Sequence, residues 1–135
     1  MRSRGSDPQG AQEEALITDL NDIVRYCEEK GGAVKDFPFN LDTIVMKVGG
    51  KIFLLADVNA DPPSINLKCD PELAEELRRE YPTVTPGYHM NKTHWNTVIV
   101  DGSIGDEAIY WMIDHSYDLV YKGLPRRVRE EIPIG

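Results

Sequence analysis

Positive charge is scarce in this sequence. Lys and Arg number 15 against 23 Asp and Glu, which leaves a net charge of -8. A field of that sign repels polyanions, so any nucleic-acid contact needs a local basic patch working against the whole. Residues 1–85 carry 10 basic and 16 acidic side chains, a net of -6, and residues 86–135 carry 5 and 7, a net of -2. A basic patch is therefore expected in the second half. Long apolar runs are missing too. None approaches the roughly 20 residues that cross a bilayer, and residues 1–10 lack the apolar stretch of a secretory signal. These lacks point to a soluble, cytoplasmic chain with no membrane partner. Cysteine is sparse: Cys27 and Cys69, with no CxxC pair, exclude a disulfide framework. Each falls on the apolar side of its local pattern and is expected as a buried free thiol.

Catalytic signatures are absent as well. There is no GxGxxG, Walker A, HExxH or GxSxG run. Gly49-Gly50 lies between two strand-like runs and makes a turn, not a phosphate cradle. No enzyme activity, cofactor or metal is expected.

What is present is one domain, residues 15–135, after a flexible leader over 1–14. Leu16, Ile17, Leu20, Ile23, Val24 and Cys27 mark one helical face, stopped by Gly31-Gly32. Thr43–Val48 and Lys51–Val58 flank Gly49-Gly50 and predict a hairpin. In it Ile44, Met46 and Val48 share a face with Ile52, Leu54, Ala56 and Val58. Ser64–Cys69 alternates as a further strand, and Phe37–Asn40 is expected as a short edge strand. Asp70, Pro71 and Glu72 open a second helix with Leu73, Ala74, Leu77 and Tyr81 as its apolar stripe. Glu75 and Arg79 are spaced for an ion pair on it. Residues 83–96 read as loop-like, with Trp95–Val100 as a strand beginning at their end. A long helix over 106–122 stops at Gly123, and Pro125 opens a short last helix through Glu131 with Arg126, Arg127 and Arg129 exposed. The fold class is α+β: an antiparallel sheet with helices packed on one side, in the order α-βββ-α-β-α-α.

One stretch is chemically dense. Tyr88–Trp95 holds His89, His94, Asn91, Lys92 and Trp95 within eight residues. Three readings are open. His89 and His94 could ligate a metal, but a spacing of five sets them on opposite sides of a strand, and Cys27, Cys69 and His115 belong to other elements. Lys92 could meet a phosphate, Asn91 a base edge, and Trp95 or Tyr88 could stack, with Arg126, Arg127 and Arg129 extending the surface. Residue chemistry favours the third reading, a loop whose polar groups bond the backbone while Trp95 anchors the core. Asp114, His115 and Ser116 are consecutive in a helix, so they point apart and form no relay.

Gly87-Tyr-His-Met-Asn-Lys-Thr-His-Trp-Asn-Thr-Val98 with Asp101-Gly102, Asp114-His-Ser-Tyr-Asp-Leu-Val120 and Leu124-Pro125 together resemble the MmcQ/YjbR-like family. Ser64–Glu72 fits its strand-to-helix passage. The resemblance runs from about residue 16 to residue 131. It implies a secretion-chaperone-like α+β fold and a double-wing motif with a DNA-binding role. The wings would be the hairpin at Gly49-Gly50 and the loop Asn91–His94. Residues matching a functional surface are His89, Asn91, Lys92, His94 and Trp95. The chaperone-like architecture implies, as the alternative, a module that binds a protein partner.

Overall fold

Among the described residues the first helix begins at a cap made of two aspartates. In a computed structural model, which describes residues 17–87 and 90–133, Asp19 accepts from the Asp22 amide at 3.2 Å and Asp22 accepts from the Asp19 amide at 3.2 Å. Asp22 also takes the Thr18 hydroxyl and amide at 2.6 and 2.8 Å. Those Thr18 bonds hold its carboxyl down at about 2 against an ordinary 3.8. Helix α1 therefore spans Leu20–Glu28, four residues later than the apolar spacing alone predicts. Ile17 stands outside it, its amide bonded to the Asp106 carboxylate at 2.9 Å.

Among the described residues six strands follow: β1 Val34–Asp36, β2 Thr43–Val48, β3 Lys51–Asp57, β4 Ser64–Lys68, β5 Val84–Pro86 and β6 Trp95–Ile99. Three helices join them: α2 Pro71–Glu80 between β4 and β5, then α3 Asp106–Lys122 and α4 Arg126–Glu130. All strands pair antiparallel in one sheet of order β1-β2-β3-β4-β6-β5. The helices pack on one side of it. The class is the α+β one expected, but two strands differ from the sequence reading. The edge strand is Val34–Asp36 and not Phe37–Asn40, because Pro38 has no amide to pair. The stretch expected as loop carries β5, in which Val84 pairs with the core residue Val98. Three residues are too few to show a period, and Pro86 is tolerated there because β5 is an edge.

The core lies between sheet and helices. Ile23, Val24 and Cys27 of α1 and Ile109, Met112, Ile113 and Val120 of α3 meet Met46, Leu54, Ile65, Leu67 and Val98. Full burial of each large aliphatic among them contributes about 2 kcal/mol. Cys27 and Cys69 are free and buried, and burial pushes their thiols up to about 12 and about 11. α1 is tied to α3 by Asp114, which accepts from the Tyr26 hydroxyl at 2.7 Å and pairs with Lys30. Among the described residues, no helix is long and apolar enough to cross a membrane.

Candidate functional site: a groove where the sheet parts

The sheet is not zipped along its whole width. β3 and β4 pair only from Ala56↔Ile65 to Leu54↔Leu67. Beyond that point β3 stays with β2, through Lys47↔Ile52 and Val48↔Lys51, while β4 stays with β6 through Lys68↔Trp95. The hairpin register slips at Met46/Lys47, so Phe53 has no opposite residue. It is a bulge, and bulges bend a strand away from its neighbour. The face-sharing predicted for the hairpin therefore holds for Ile44↔Ala56 and Met46↔Leu54 and fails at Ile52, which sits opposite Lys47.

Ser116 of α3 fills the parting. Its hydroxyl, fully buried, donates to the Phe53 carbonyl at 2.5 Å and accepts from the Lys68 amide at 2.9 Å. One side chain bridges β3 and β4 where their ladder ends. Its neighbours on α3 point elsewhere. Asp114 meets Tyr26 and Lys30, while His115 Nε2 accepts from the Asp70 amide at 3.2 Å and the ring stacks on Trp111 at 5.4 Å. Burial holds the His115 imidazole below its ordinary 6.5, against the opposing pull of Asp70 and Asp118.

Beside the parting opens a groove of about 490 Å³. β3 and its turn supply Gly50, Lys51 and Ile52. Lys68 and Trp95 come from β4 and β6, and the end of α3 supplies Leu119, Val120, Gly123 and Leu124. Among the described residues no carboxylate lines it. Neither Lys51 nor Lys68 has an acidic partner among the described residues. In a chain of net charge -8 this is a local inversion of sign. It is built from the first half of the chain, contrary to the expectation from the charge balance. Net charge along a sequence says nothing about which side chains the register brings together.

Two loops border this end of the sheet. The β2–β3 turn is a type I′ pair, with φ of 58° at Gly49 and 82° at Gly50. A Cβ on Gly49 would meet Leu124 at 2.5 Å and Val128 of α4 at 3.1 Å, so the tip lies flat against the body. The β5–β6 loop is held by Arg78 of α2. Its guanidinium donates to Asn96 Oδ1 at 2.7 Å, to the Lys92 carbonyl, and more weakly to the Trp95 carbonyl at 3.4 Å. Arg78, not the Arg79 expected to pair with Glu75, is the engaged arginine of α2. Among the described residues Glu75 and Arg79 form no ion pair.

The sequence-predicted site residues are scattered by this geometry. His89 lies outside the described residues. Asn91 turns its Oδ1 back onto the amides of Thr93 and His94 at 2.9 and 3.3 Å, an Asx turn that shapes the loop. His94 is exposed, and its carbonyl accepts from the Cys69 amide at 2.8 Å. Lys92 is exposed, its ammonium 3.4 Å from the Gly87 carbonyl. Of the described ones, Trp95 alone lines the groove. Arg129 binds the carbonyls of Lys122 and Leu124 at 3.3 and 2.7 Å and so caps α3, while Arg126 pairs with Glu130 at 2.9 Å. Arg127 is exposed with no acidic partner among the described residues. Lys51, Lys68, Arg78 and Ser116 were missed. Their roles depend on pairing across strands far apart in sequence, and no local pattern announces them.

Sheet order and helix placement define an α+β class, a single six-stranded antiparallel sheet backed by helices on one side. The chain belongs to the YjbR family, whose model matches residues 28–119. It is 35% identical over 111 residues to the uncharacterized protein YjbR of Escherichia coli K12, covering 82% of this chain and 94% of that protein. It is 38% identical over 99 residues to the uncharacterized protein YbdF of Escherichia coli O157:H7, covering 73% and 81%. Its fold is similar to the crystal structure of Deinococcus radiodurans protein DR2400, of the DUF419 family, with a TM-score of 0.79 and 39% identity over 84% of this chain and 86% of that one.

Proposed function

We propose that this chain is a non-enzymatic, cytoplasmic DNA-binding protein whose contact surface is the groove at the parted seam. The observation that carries the reading is the groove's lining: among the described residues, two lysines without acidic partners, one tryptophan and no carboxylate, in an otherwise acidic molecule. Lys51 and Lys68 would meet phosphates, and Trp95 would offer a flat apolar face. The family resemblance to double-wing DNA binders supports the same class of ligand. The test is fluorescence anisotropy of a labelled duplex carrying a single-stranded overhang, titrated at low and physiological salt. Binding that weakens steeply with salt, and is lost in Lys51→Glu/Lys68→Glu, supports the reading. Absence of binding at low salt removes it.

A protein partner is the second reading, and one observation favours it. Val34, Phe37, Phe39, Leu41 and Val58 are exposed around the β1 edge and the β1–β2 loop, with Leu41 82% exposed. Val58 is tied to that loop by its amide bond to the Asp42 carbonyl at 2.9 Å. Such a corner fits an apolar partner surface. Sedimentation across a concentration series, with Phe39→Ser/Leu41→Ser as control, tests a second copy as occupant. Assembly abolished by the variant favours it, and a monomer at every concentration removes it.

A further inference from the structure

Resting on the DNA-binding reading, we infer that the groove takes an unpaired nucleotide strand and not a duplex. Duplex readout needs an element that projects into a groove of the DNA. Both loops that could act as wings are fastened down: Gly49 packs onto Leu124, and Arg78 grips the carbonyl of Lys92. The tip of the β2–β3 turn is two glycines, with no side chain to reach a base edge. The groove offers something else. Its volume, about 490 Å³, is that of a small-molecule pocket. Its apolar wall from the end of α3 suits a base or a sugar and is a poor seat for a phosphate. Trp95 can stack only on a base whose face is free, and paired bases inside a helix keep their faces stacked on one another. Lys51 on β3 and Lys68 on β4 stand on the two lips of the parting, where successive phosphates of a strand crossing it would lie. An apolar floor, one aromatic and flanking cations are the makings of a single-strand site.

The experiment uses the full chain and three labelled probes: oligo(dT) of about 15 nucleotides, oligo(rU) of the same length, and a duplex of the same length. Anisotropy is read at low and physiological salt. The inference expects either single strand to bind at least about tenfold more tightly than the duplex, and Trp95→Leu to weaken the single strand by about tenfold. The stronger of the two single strands identifies DNA or RNA as the source. Duplex binding as tight as single-strand binding, with no effect of Trp95→Leu, overturns the inference and leaves the DNA-binding reading standing. No binding of any probe at low salt overturns both. If circular dichroism shows Trp95→Leu unfolded, Trp95→Phe and the wild-type single-strand to duplex ratio decide the matter.

Discussion

The two loops at the open end of the sheet are fastened in opposite ways. The β2–β3 tip is held by apolar contact: Gly49 sits against Leu124 and Val128 with no room for a side chain. The β5–β6 loop is held by hydrogen bonds, with one guanidinium serving Asn96, Lys92 and Trp95. Each also depends on a glycine in close approach, since a Cβ on Gly87 would lie 2.8 Å from that of Trp95. The first fastening fails by steric conflict and the second by loss of a donor. Between them, Ser116 keeps the seam parted at a fixed width. The groove is therefore a preformed feature, set by three separate devices.

Each device can be broken alone. The largest effect is expected for Gly49→Val, which imposes a left-handed backbone on a branched side chain and drives it into Leu124. Unfolding in urea should show a loss of about 3 kcal/mol. Arg78→Ala leaves the nearly buried Asn96 carbonyl without its charged donor and should cost about 2 kcal/mol. Hydrogen exchange should then quicken at the amides of Gly87 and Cys69, which bond the loop's Trp95 and His94 carbonyls. Arg78→Lys should recover only part of this, because an ammonium cannot reproduce the fork. Ser116→Ala orphans one amide and one carbonyl and should cost about 1.5 kcal/mol.

Acid separates the loops from the rest of the molecule. Neither fastening uses a carboxylate, whereas the α1 cap does. The Asp22 carboxyl is lowered from 3.8 to about 2 by its Thr18 bonds, so its contribution is full above 3.8 and is lost as pH falls toward 2. Exchange should quicken at Thr18 and Asp19 in that window and stay slow at Gly87. The smallest effect is expected for the exposed Lys92: Lys92→Ala should change stability by less than about 0.5 kcal/mol. It should weaken DNA binding far less than Lys68→Ala does.

Much of the fold was legible because its signals are local. α3 runs from Asp106 to Lys122 as its apolar period and Gly123 predict, and the glycine pair marks the β2–β3 turn. The capping box of Asp19 and Asp22 is a local signal too, but one that the apolar spacing alone does not carry. β1 and β5 were misread because three-residue strands carry no period. The site was mostly illegible. Trp95 stood out by its chemistry, but Ser116 meets residues 48 and 63 positions away. Lys51 and Lys68 come to line one groove only through the register of β2, β3, β4 and β6. In the dense Tyr88–Trp95 stretch Asn91 serves the loop's own backbone, the reading that its residue chemistry favours.

A strand held in the proposed groove touches Trp95, at the parted seam. The chain has two tryptophans, Trp95 and the exposed Trp111, so Trp111→Phe leaves Trp95 as the sole reporter. Titrating this variant with oligo(dT) while recording tryptophan emission and probe anisotropy together tests the claim directly. Quenching should saturate along the same curve as the anisotropy if the strand lies in the groove. Full anisotropy change with unaltered Trp95 emission would contradict it, because the strand would then be bound away from the groove.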